Sequence, residues 1–222
     1  MTRDSKILKL HAGVEGSMTT RNLLMLLLAS VFISGAGAIG AAEQVRKDDH
    51  VIVFIRHGEK PSNGLGQLSC RGLNRSLALP AVLTRLFGKP DRIIAPDPSR
   101  QKEDDGKSYA YVRPLATIEP TAIANGLPVE TSIGYDDVKE LVTALDPTEH
   151  PDRVTLVAWE HKKLVKVARA LMEAEGGDPD DIPKWSGDDF DSLYVLDFPG
   201  NGEKPQFKHI TQGLSGLPDT CP

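Results

Sequence analysis

A short apolar run that ends on two cations is the feature that most constrains this chain. Residues 51–55 read Val-Ile-Val-Phe-Ile, and Arg56, His57, Gly58 and Glu59 follow directly. A run this short and this rich in β-branched residues predicts a strand buried on both faces, as in a parallel sheet. Ligands of open α/β sheets bind at the carboxyl edge of the strands. The sequence therefore predicts an imidazole and a guanidinium at a binding site.

Strand patterns and helix patterns alternate along the rest of the chain. Further strands are predicted at 91–96, 127–130, 154–159 and 191–197, and helices at 70–87, 113–125, 136–145 and 162–175. This alternation indicates an α/β three-layer sandwich, with a mostly parallel central sheet and helices on both faces. Pro80 is expected to kink or divide the first helix. The polar stretch 97–109 and the Gly/Pro-rich tail from Pro199 are predicted to be irregular.

The N-terminal segment has the pattern of a secretory signal peptide. Arg21 precedes the apolar residues 23–33, and small residues continue to Ala42, which predicts cleavage before Glu43. Met18 is an alternative start of translation. An uncleaved membrane anchor is the other interpretation, because the apolar stretch is long enough to span a bilayer.

Cleavage leaves one domain and places it in an oxidising compartment. Residues 1–42 are the predicted signal peptide, and residues 43–222 form a single domain that is periplasmic or secreted. The chain has two cysteines, Cys70 and Cys221. Export favours a disulfide between them, with two unpaired thiols as the alternative.

Composition argues against some classes of partner. The formal net charge is −5, and no basic block stands out, so a nucleic-acid partner is not expected. An acidic exported domain is also not expected to bind a membrane surface by charge after signal cleavage. No Cys/His spacing indicates a metal site.

Four segments in chain order resemble the signature segments of the histidine phosphatase (phosphoglycerate mutase-like) superfamily. They are Arg56-His57-Gly58-Glu59, Leu68-Ser69-Cys70-Arg71-Gly72, Arg113-Pro114-Leu115-Ala116-Thr117 and Val154-Thr155-Leu156-Val157-Ala158-Trp159-Glu160-His161. The resemblance implies that His57 is the nucleophile that accepts a phosphoryl group and that Arg56 binds the phosphate oxygens. It also implies that Arg113 is the second phosphate-binding arginine and His161 the second catalytic histidine.

The chemistry of phosphoryl transfer fits these residue types. A phosphoryl group carries charge on three oxygens, so its transfer needs several fixed cations or donors. Arg56 and Arg113 can each offer forked, charge-assisted hydrogen bonds. No metal and no other cofactor is expected, because the arginines supply the charge. A nucleophilic His57 also needs its second ring nitrogen to donate to a carbonyl or side chain that fixes the tautomer.

The leaving oxygen needs a proton, and several residues are candidates for the donor. Glu160 adjoins His161 and is the first choice. Asp136 and Asp137 lie between Arg113 and His161, where the resemblance implies an acid in one branch of the superfamily; Asp137 is the second choice and is also predicted to bind the substrate. Glu59 is the remaining option. Asn63 stands where phosphoglycerate mutases carry an asparagine that contacts phosphate, so the resemblance implies a substrate-binding role.

The leading hypothesis is an exported, metal-independent phosphatase that hydrolyses small phosphomonoesters through a phosphohistidine. A non-catalytic anion-binding envelope protein on the same fold and a protein phosphohistidine phosphatase are the alternatives. Arg100, Lys102 and Lys107 in the stretch 97–109 are either contacts for an anionic substrate or solvated loop residues.

Overall fold

The computed structural model describes residues 49–149 and 153–222. The predicted signal peptide over residues 1–42 and the alternative start at Met18 lie outside the described residues. The strands are β1 His50–Arg56, β2 Arg92–Ile94, β3 Gln101–Asp104, β4 Lys107–Ala110, β5 Val154–Trp159, β6 Ser192–Phe198 and β7 Gln206–Thr211. The α-helices are α1 Cys70–Phe87, α2 Arg113–Asn125, α3 Val138–Ala144 and α4 His161–Ala174, and a 3₁₀ helix spans Pro179–Asp181.

The central sheet has five strands in the order β2-β5-β1-β6-β7. Strands β2 and β5 are parallel, as are β5 and β1, whereas β6 is antiparallel to both of its neighbours. Strand β6 therefore runs against the other four, and the prediction of a mostly parallel sheet is confirmed. The predicted strand at 127–130 is reduced to a single bridge between Ile94 and Glu130.

Helices cover both faces of the sheet, which confirms the three-layer sandwich. Every residue of β1 is buried, and successive side chains of a strand point to opposite faces. On one face Val51, Val53 and Ile55 pack with Leu79 and Leu83 of α1 and with Ile118 and Ala122 of α2. On the other face Ile52 and Phe54 pack with Leu141 of α3 and with Leu164, Val167, Ala168 and Leu171 of α4.

Two segments predicted to be irregular are strands. Strands β3 and β4 form a two-stranded hairpin over residues 101–110, almost all of it within the stretch 97–109. Its turn residues Asp105 and Gly106 have φ angles of 53° and 72°, as a tight two-residue hairpin turn requires. Strand β7 lies in the tail and pairs with β6 as an edge strand of the central sheet, so the prediction that the tail is irregular was also wrong there. These sequences are polar and have no apolar pattern that would predict a strand. Backbone hydrogen bonds to the paired strand form them nevertheless.

Helix α1 continues through Pro80, so this proline does not divide it, and the alternative, a kink, stays a prediction. The neighbouring Leu79 and Leu83 are almost fully buried against the sheet, and this packing stabilises the helix on both sides of the proline. Within the described residues, no helix combines the length and the apolar character needed to cross a membrane.

The predicted disulfide between Cys70 and Cys221 is present, with the two Cα atoms 4.5 Å apart. It joins the first residue of α1 to the end of the chain. Around it Asn74 donates to the carbonyl oxygens of Pro218 and Thr220. The two cysteines are 151 positions apart, and a chain-entropy model gives about 5 kcal/mol for closing a loop of that size.

Candidate active site

Strands β1 and β5 bring the two motif histidines to one edge of the sheet. Arg56 lies opposite Trp159 in the parallel register, so the residues that follow the two strands are neighbours. The backbone N–H of His57 continues the ladder by donating to the carbonyl of Trp159, at 3.0 Å. Glu160 and His161 follow β5 directly, and α4 begins at His161.

The ring of His57 is fixed in the orientation that a nucleophile needs. Its Nδ1 lies 2.9 Å from the carbonyl oxygen of Gly58, which can only accept, so Nδ1 carries the proton. The lone pair therefore resides on Nε2. Burial of the ring lowers the pKa of His57 to about 3; the hydrogen bond to the Gly58 carbonyl opposes this shift, and the positive charges of Arg113 and Arg56 add to it. The imidazole is neutral at pH 7.

Arg56 is buried at the end of β1, where two backbone carbonyls and an aromatic ring contact its guanidinium. One Nη donates to the carbonyl oxygens of Ser186 and Asp189, at 3.1 and 2.8 Å. The guanidinium carbon lies 3.7 Å from the centre of the Phe190 ring, a cation–π contact. Desolvation lowers the pKa of Arg56, although nearby Glu160 opposes the shift. The carbonyls use only one nitrogen of the fork, and among the described residues its buried Nε has no partner.

Glu160 is the N-cap of α4. Its carboxylate accepts from the backbone N–H of Lys163 at 3.0 Å, and its other oxygen lies 2.9 Å from Nδ1 of His161. Burial alone would raise the pKa of Glu160, but His161 and the backbone N–H groups of Lys162 and Lys163 lower it to about 2. A carboxyl group this acidic is ionised at neutral pH and is a poor proton donor in the free protein. Its role as the acid stays a prediction.

Arg113 is buried at the start of α2 and lies against a carboxylate. Its guanidinium donates to Asp104 of β3 and, at 3.4 Å, to the carbonyl of Gly64. The Thr117 hydroxyl, one turn later, donates to the Arg113 carbonyl and accepts from the Gly58 N–H, both at 2.8 Å. Through this hydroxyl the start of α2 is bonded directly to the loop that carries His57.

Tyr111 lies close to His57, Arg113 and Glu160, and it shows that these side chains are near one another. Its ring centre lies 6.1 Å from the His57 ring and 5.1 Å from the guanidinium carbon of Arg113. The phenol is fully buried, and its hydroxyl meets no acceptor among the described residues. Glu160 and Arg113 both act electrostatically on this hydroxyl. His57, Arg56, Arg113 and the Glu160–His161 pair therefore share one buried, strongly charged pocket.

Three other predicted residues lie differently. Glu59 accepts two hydrogen bonds from Arg75 of α1, at 3.0 and 2.8 Å, so its carboxylate is already bound. Asn63 is exposed in the turn after the motif. Asp137 is exposed at the start of α3 and makes no side-chain cap of that helix. The structure does not bring Asn63 or Asp137 into the buried pocket, and their substrate-binding roles stay predictions.

Sequence reasoning missed several residues of the pocket. Tyr111, Phe190 and Asp104 contact the motif arginines but belong to none of the four motif segments. For Lys102 the sequence left open a contact with an anionic substrate or a solvated loop position; its ammonium lies 4.4 Å from the centre of the Tyr111 ring. Two tyrosines shortly before Arg113 were the available signal for an aromatic wall. Among the described residues, no group of three or more His, Cys, Asp or Glu side chains could hold a metal ion.

Solved structures with similar folds are phosphatases and mutases. The chain is similar to a protein proposed to be an alpha-ribazole-5′-P phosphatase from Escherichia coli, with TM-score 0.51 and 13% identity, over 73% of this chain and 96% of that one. A mycobacterial glucosyl-3-phosphoglycerate phosphatase in complex with inorganic phosphate gives TM-score 0.49 and 16% identity, over 73% and 96%. A phosphoglycerate mutase from Plasmodium falciparum gives 0.49 and 12%, over 77% and 94%.

No protein-family model matches the sequence, and no curated protein matches it significantly. At such low identity the likeness to the Escherichia coli protein shows the fold alone. The phosphoglycerate mutase-like α/β fold that the motifs implied is thereby confirmed.

Proposed function

We propose that this protein is a histidine-type phosphoric monoester hydrolase that works through a phosphohistidine. The observation that carries the proposal is the state of His57: a neutral imidazole, with Nδ1 bonded to the Gly58 carbonyl and the lone pair on Nε2, in a pocket with two buried arginines. A neutral imidazole held in one tautomer is a ready nucleophile, and fixed cations stabilise the charge that develops on the phosphoryl oxygens.

The reaction has two steps in this pocket. Nε2 of His57 attacks phosphorus in line, the bond to the ester oxygen breaks, and water later cleaves the phosphohistidine. Arg56 and Arg113 bind the equatorial oxygens. Because they supply positive charge there, the proposal includes hydrolysis without a metal. Although one nitrogen of Arg113 donates to Asp104, its Nε has no partner among the described residues and is left for the substrate.

The substrate class and the compartment are part of the same proposal. The buried cations suit one phosphoryl group, so the substrate is a small phosphomonoester. The apolar segment after Arg21 supports export, and the Cys70–Cys221 disulfide fits an oxidising compartment. A periplasmic or secreted phosphatase is the form that we propose.

A second candidate, a non-catalytic anion-binding protein, has one observation in its favour. Catalysis on unactivated esters needs a proton donor, and a Glu160 with a pKa of about 2 is not a good one. A binding protein on this fold needs no donor. The two candidates differ in turnover, and not in affinity for phosphate.

Hydrolysis of an activated aryl phosphate by the purified protein tests the proposal. We expect turnover that His57→Ala abolishes, and no comparable loss in the matched variant His209→Gln, because His209 is exposed on β7. Brief reaction with a ³²P-labelled ester followed by peptide mapping tests the covalent step. Label at a residue other than His57 would contradict the proposed nucleophile, and phosphate binding without turnover would favour the anion-binding protein.

A further inference from the structure

The β3–β4 hairpin places one lysine on the side of the pocket. Asp104 of β3 faces inward, because its carboxylate bonds to the buried Arg113 and, at 2.6 Å, to Lys60. Lys102 lies two residues earlier on the same strand. Alternate residues of a strand point to the same face, so Lys102 points to the side on which Asp104 contacts Arg113.

The ammonium group of Lys102 lies between two aromatic rings. It is 4.4 Å from the centre of the Tyr111 ring and 5.2 Å from that of Tyr135, and the two rings themselves are 5.4 Å apart. The side chain is half-buried. Among the described residues no carboxylate lies within ion-pair distance of this ammonium. A lysine placed in this way is neither a solvated loop residue nor one half of a salt bridge.

Lys102 and the proposed nucleophile contact the same aromatic ring. The Tyr111 ring packs at 87° to the His57 ring, with the centres 6.1 Å apart, and carries the Lys102 ammonium as well. The charge of Lys102 also acts on His57. Burial lowers the pKa of Lys102, and the charge of Arg113 lowers it too, against the opposing effect of Glu160. The ammonium is therefore a stronger acid than a lysine in water.

The carboxyl groups of the pocket are committed elsewhere. Glu160 is ionised and caps α4, Glu59 is bound by Arg75, and Asp104 is bound by Arg113 and Lys60. Asp137, the second candidate for the acid, is exposed at the start of α3. Glu160 is therefore ionised at neutral pH, Glu59 and Asp104 are held by cations, and Asp137 lies in solvent.

We infer that Lys102 is the proton donor to the leaving oxygen, an inference that rests on the proposed phosphatase function. As Nε2 of His57 bonds to phosphorus, the P–O ester bond breaks and its electron pair stays on the leaving oxygen. That oxygen takes a proton from the Lys102 ammonium. The neutral amine then accepts a proton from the water that attacks the phosphohistidine, and the N–P electron pair returns to Nε2. The substrates of this site are therefore esters of poor leaving groups, namely phosphorylated alcohols.

Dependence on the leaving group tests this role. An aryl phosphate with a nitrophenol leaving group needs no proton, whereas an alkyl phosphate does. We expect Lys102→Met to lower kcat on the alkyl phosphate by about 10²–10³-fold and on the aryl phosphate by less than about 10-fold. Lys102→Arg retains the charge, but its guanidinium does not give up a proton. We therefore expect Lys102→Arg to lose about as much kcat on the alkyl phosphate as Lys102→Met.

Lys107→Met is the matched control, because Lys107 is exposed on β4 of the same hairpin, and both rates should stay within twofold. Equal losses on the two esters, or an alkyl phosphatase activity that Lys102→Arg retains, would show that Lys102 acts only as a charge. A leaving-group dependence in Glu160→Gln and not in the Lys102 variants would assign the proton to Glu160. Wild-type protein that hydrolyses neither ester would refute the proposed function itself, and Lys102 as a donor with it.

Discussion

The two halves of the candidate site are held by different interactions. The strand-end half contains Arg56 and His57 after β1 and Glu160 and His161 after β5, and backbone hydrogen bonds of the central sheet position it. The hairpin half consists of β3, β4 and the start of α2. There, ion pairs between side chains position the groups, chiefly Asp104 with Arg113 and Lys60.

This difference assigns a task to each half. The central sheet is buried on both faces, so the proposed nucleophile His57 cannot shift unless many apolar residues move with it. A two-stranded hairpin has no such core, and pairs of this kind are marginally stable alone. Under the proposed function, the strand-end half carries the nucleophile, and the hairpin half carries Arg113 for the phosphoryl group and Lys102 for the leaving oxygen.

The largest effect is expected in the strand-end half, at Arg56. Arg56→Lys retains the positive charge but loses the planar fork that donates to the Ser186 and Asp189 carbonyls and stacks on Phe190. We expect kcat/KM for an aryl phosphate to fall by about 10²–10³-fold, measured in steady-state assays. Arg71→Lys, at an exposed ion pair with Asp219, is the control and should cost less than twofold. A loss below tenfold at Arg56 would contradict its role.

The hairpin half is tested by Asp104→Asn. This change leaves the buried Arg113 without its carboxylate, and breaking a buried ion pair from one side costs about 3 kcal/mol or more of unfolding free energy. Urea unfolding followed by circular dichroism measures the loss. Asp105→Asn, in the adjacent exposed turn, should change the unfolding free energy by less than about 0.5 kcal/mol. Equal stability of the two variants would mean that ion pairs do not hold this half.

A smaller effect is expected at Glu160. Glu160→Gln weakens the N-cap of α4, which costs about 1 kcal/mol of unfolding free energy at pH 7. The pKa of Glu160 is lowered in the folded protein, from an ordinary value near 4.5 to about 2, so its ionisation stabilises the fold above pH 4.5. That contribution is lost as the pH falls through about 2. Unfolding curves of the variant and the wild type should converge over this interval, and a constant difference would contradict it.

The smallest expected effect is an absence of titration at His57. Because burial and two nearby arginines lower its pKa to about 3, the imidazole stays neutral between about pH 5 and pH 8. The unfolded state gains this proton near pH 6.5, so His57 lowers stability progressively as the pH falls from there toward 3. In ¹H–¹⁵N spectra of the ring nitrogens, the His57 signals should not move between about pH 5 and pH 8. A titration midpoint of His57 near pH 6.5 would show that water solvates its ring more than its burial indicates.

The sequence predicted the sandwich well because apolar periodicity determines it. Helix α2 and strand β5 have the predicted bounds: the buried residues of α2 follow the helical period, and β5 is an apolar run that is buried throughout. The hairpin was missed although Asp105-Gly106 is a strong turn signal. Its flanking residues are mostly polar, so the alternation of apolar and polar residues that indicates a hairpin is absent.

The candidate site divides in the same way. Arg56, His57, Arg113 and His161 are placed by short motifs at the ends of regular elements, so their convergence follows from a parallel sheet. Contacts such as Phe190 on Arg56 join residues 134 positions apart, and no local pattern encodes them. Glu160 was chosen as the acid from its position beside His161, but the sequence did not reveal that it caps α4.

The bond between Cys70 and Cys221 makes a covalent ring of nearly all the described chain. The exposed Asp105-Gly106 turn lies inside that ring. A protease that cuts this turn leaves two fragments that migrate together until a reductant is added. Comparison of digests before and after reduction would therefore reveal both whether the hairpin is accessible and whether the ring is closed in the protein as isolated.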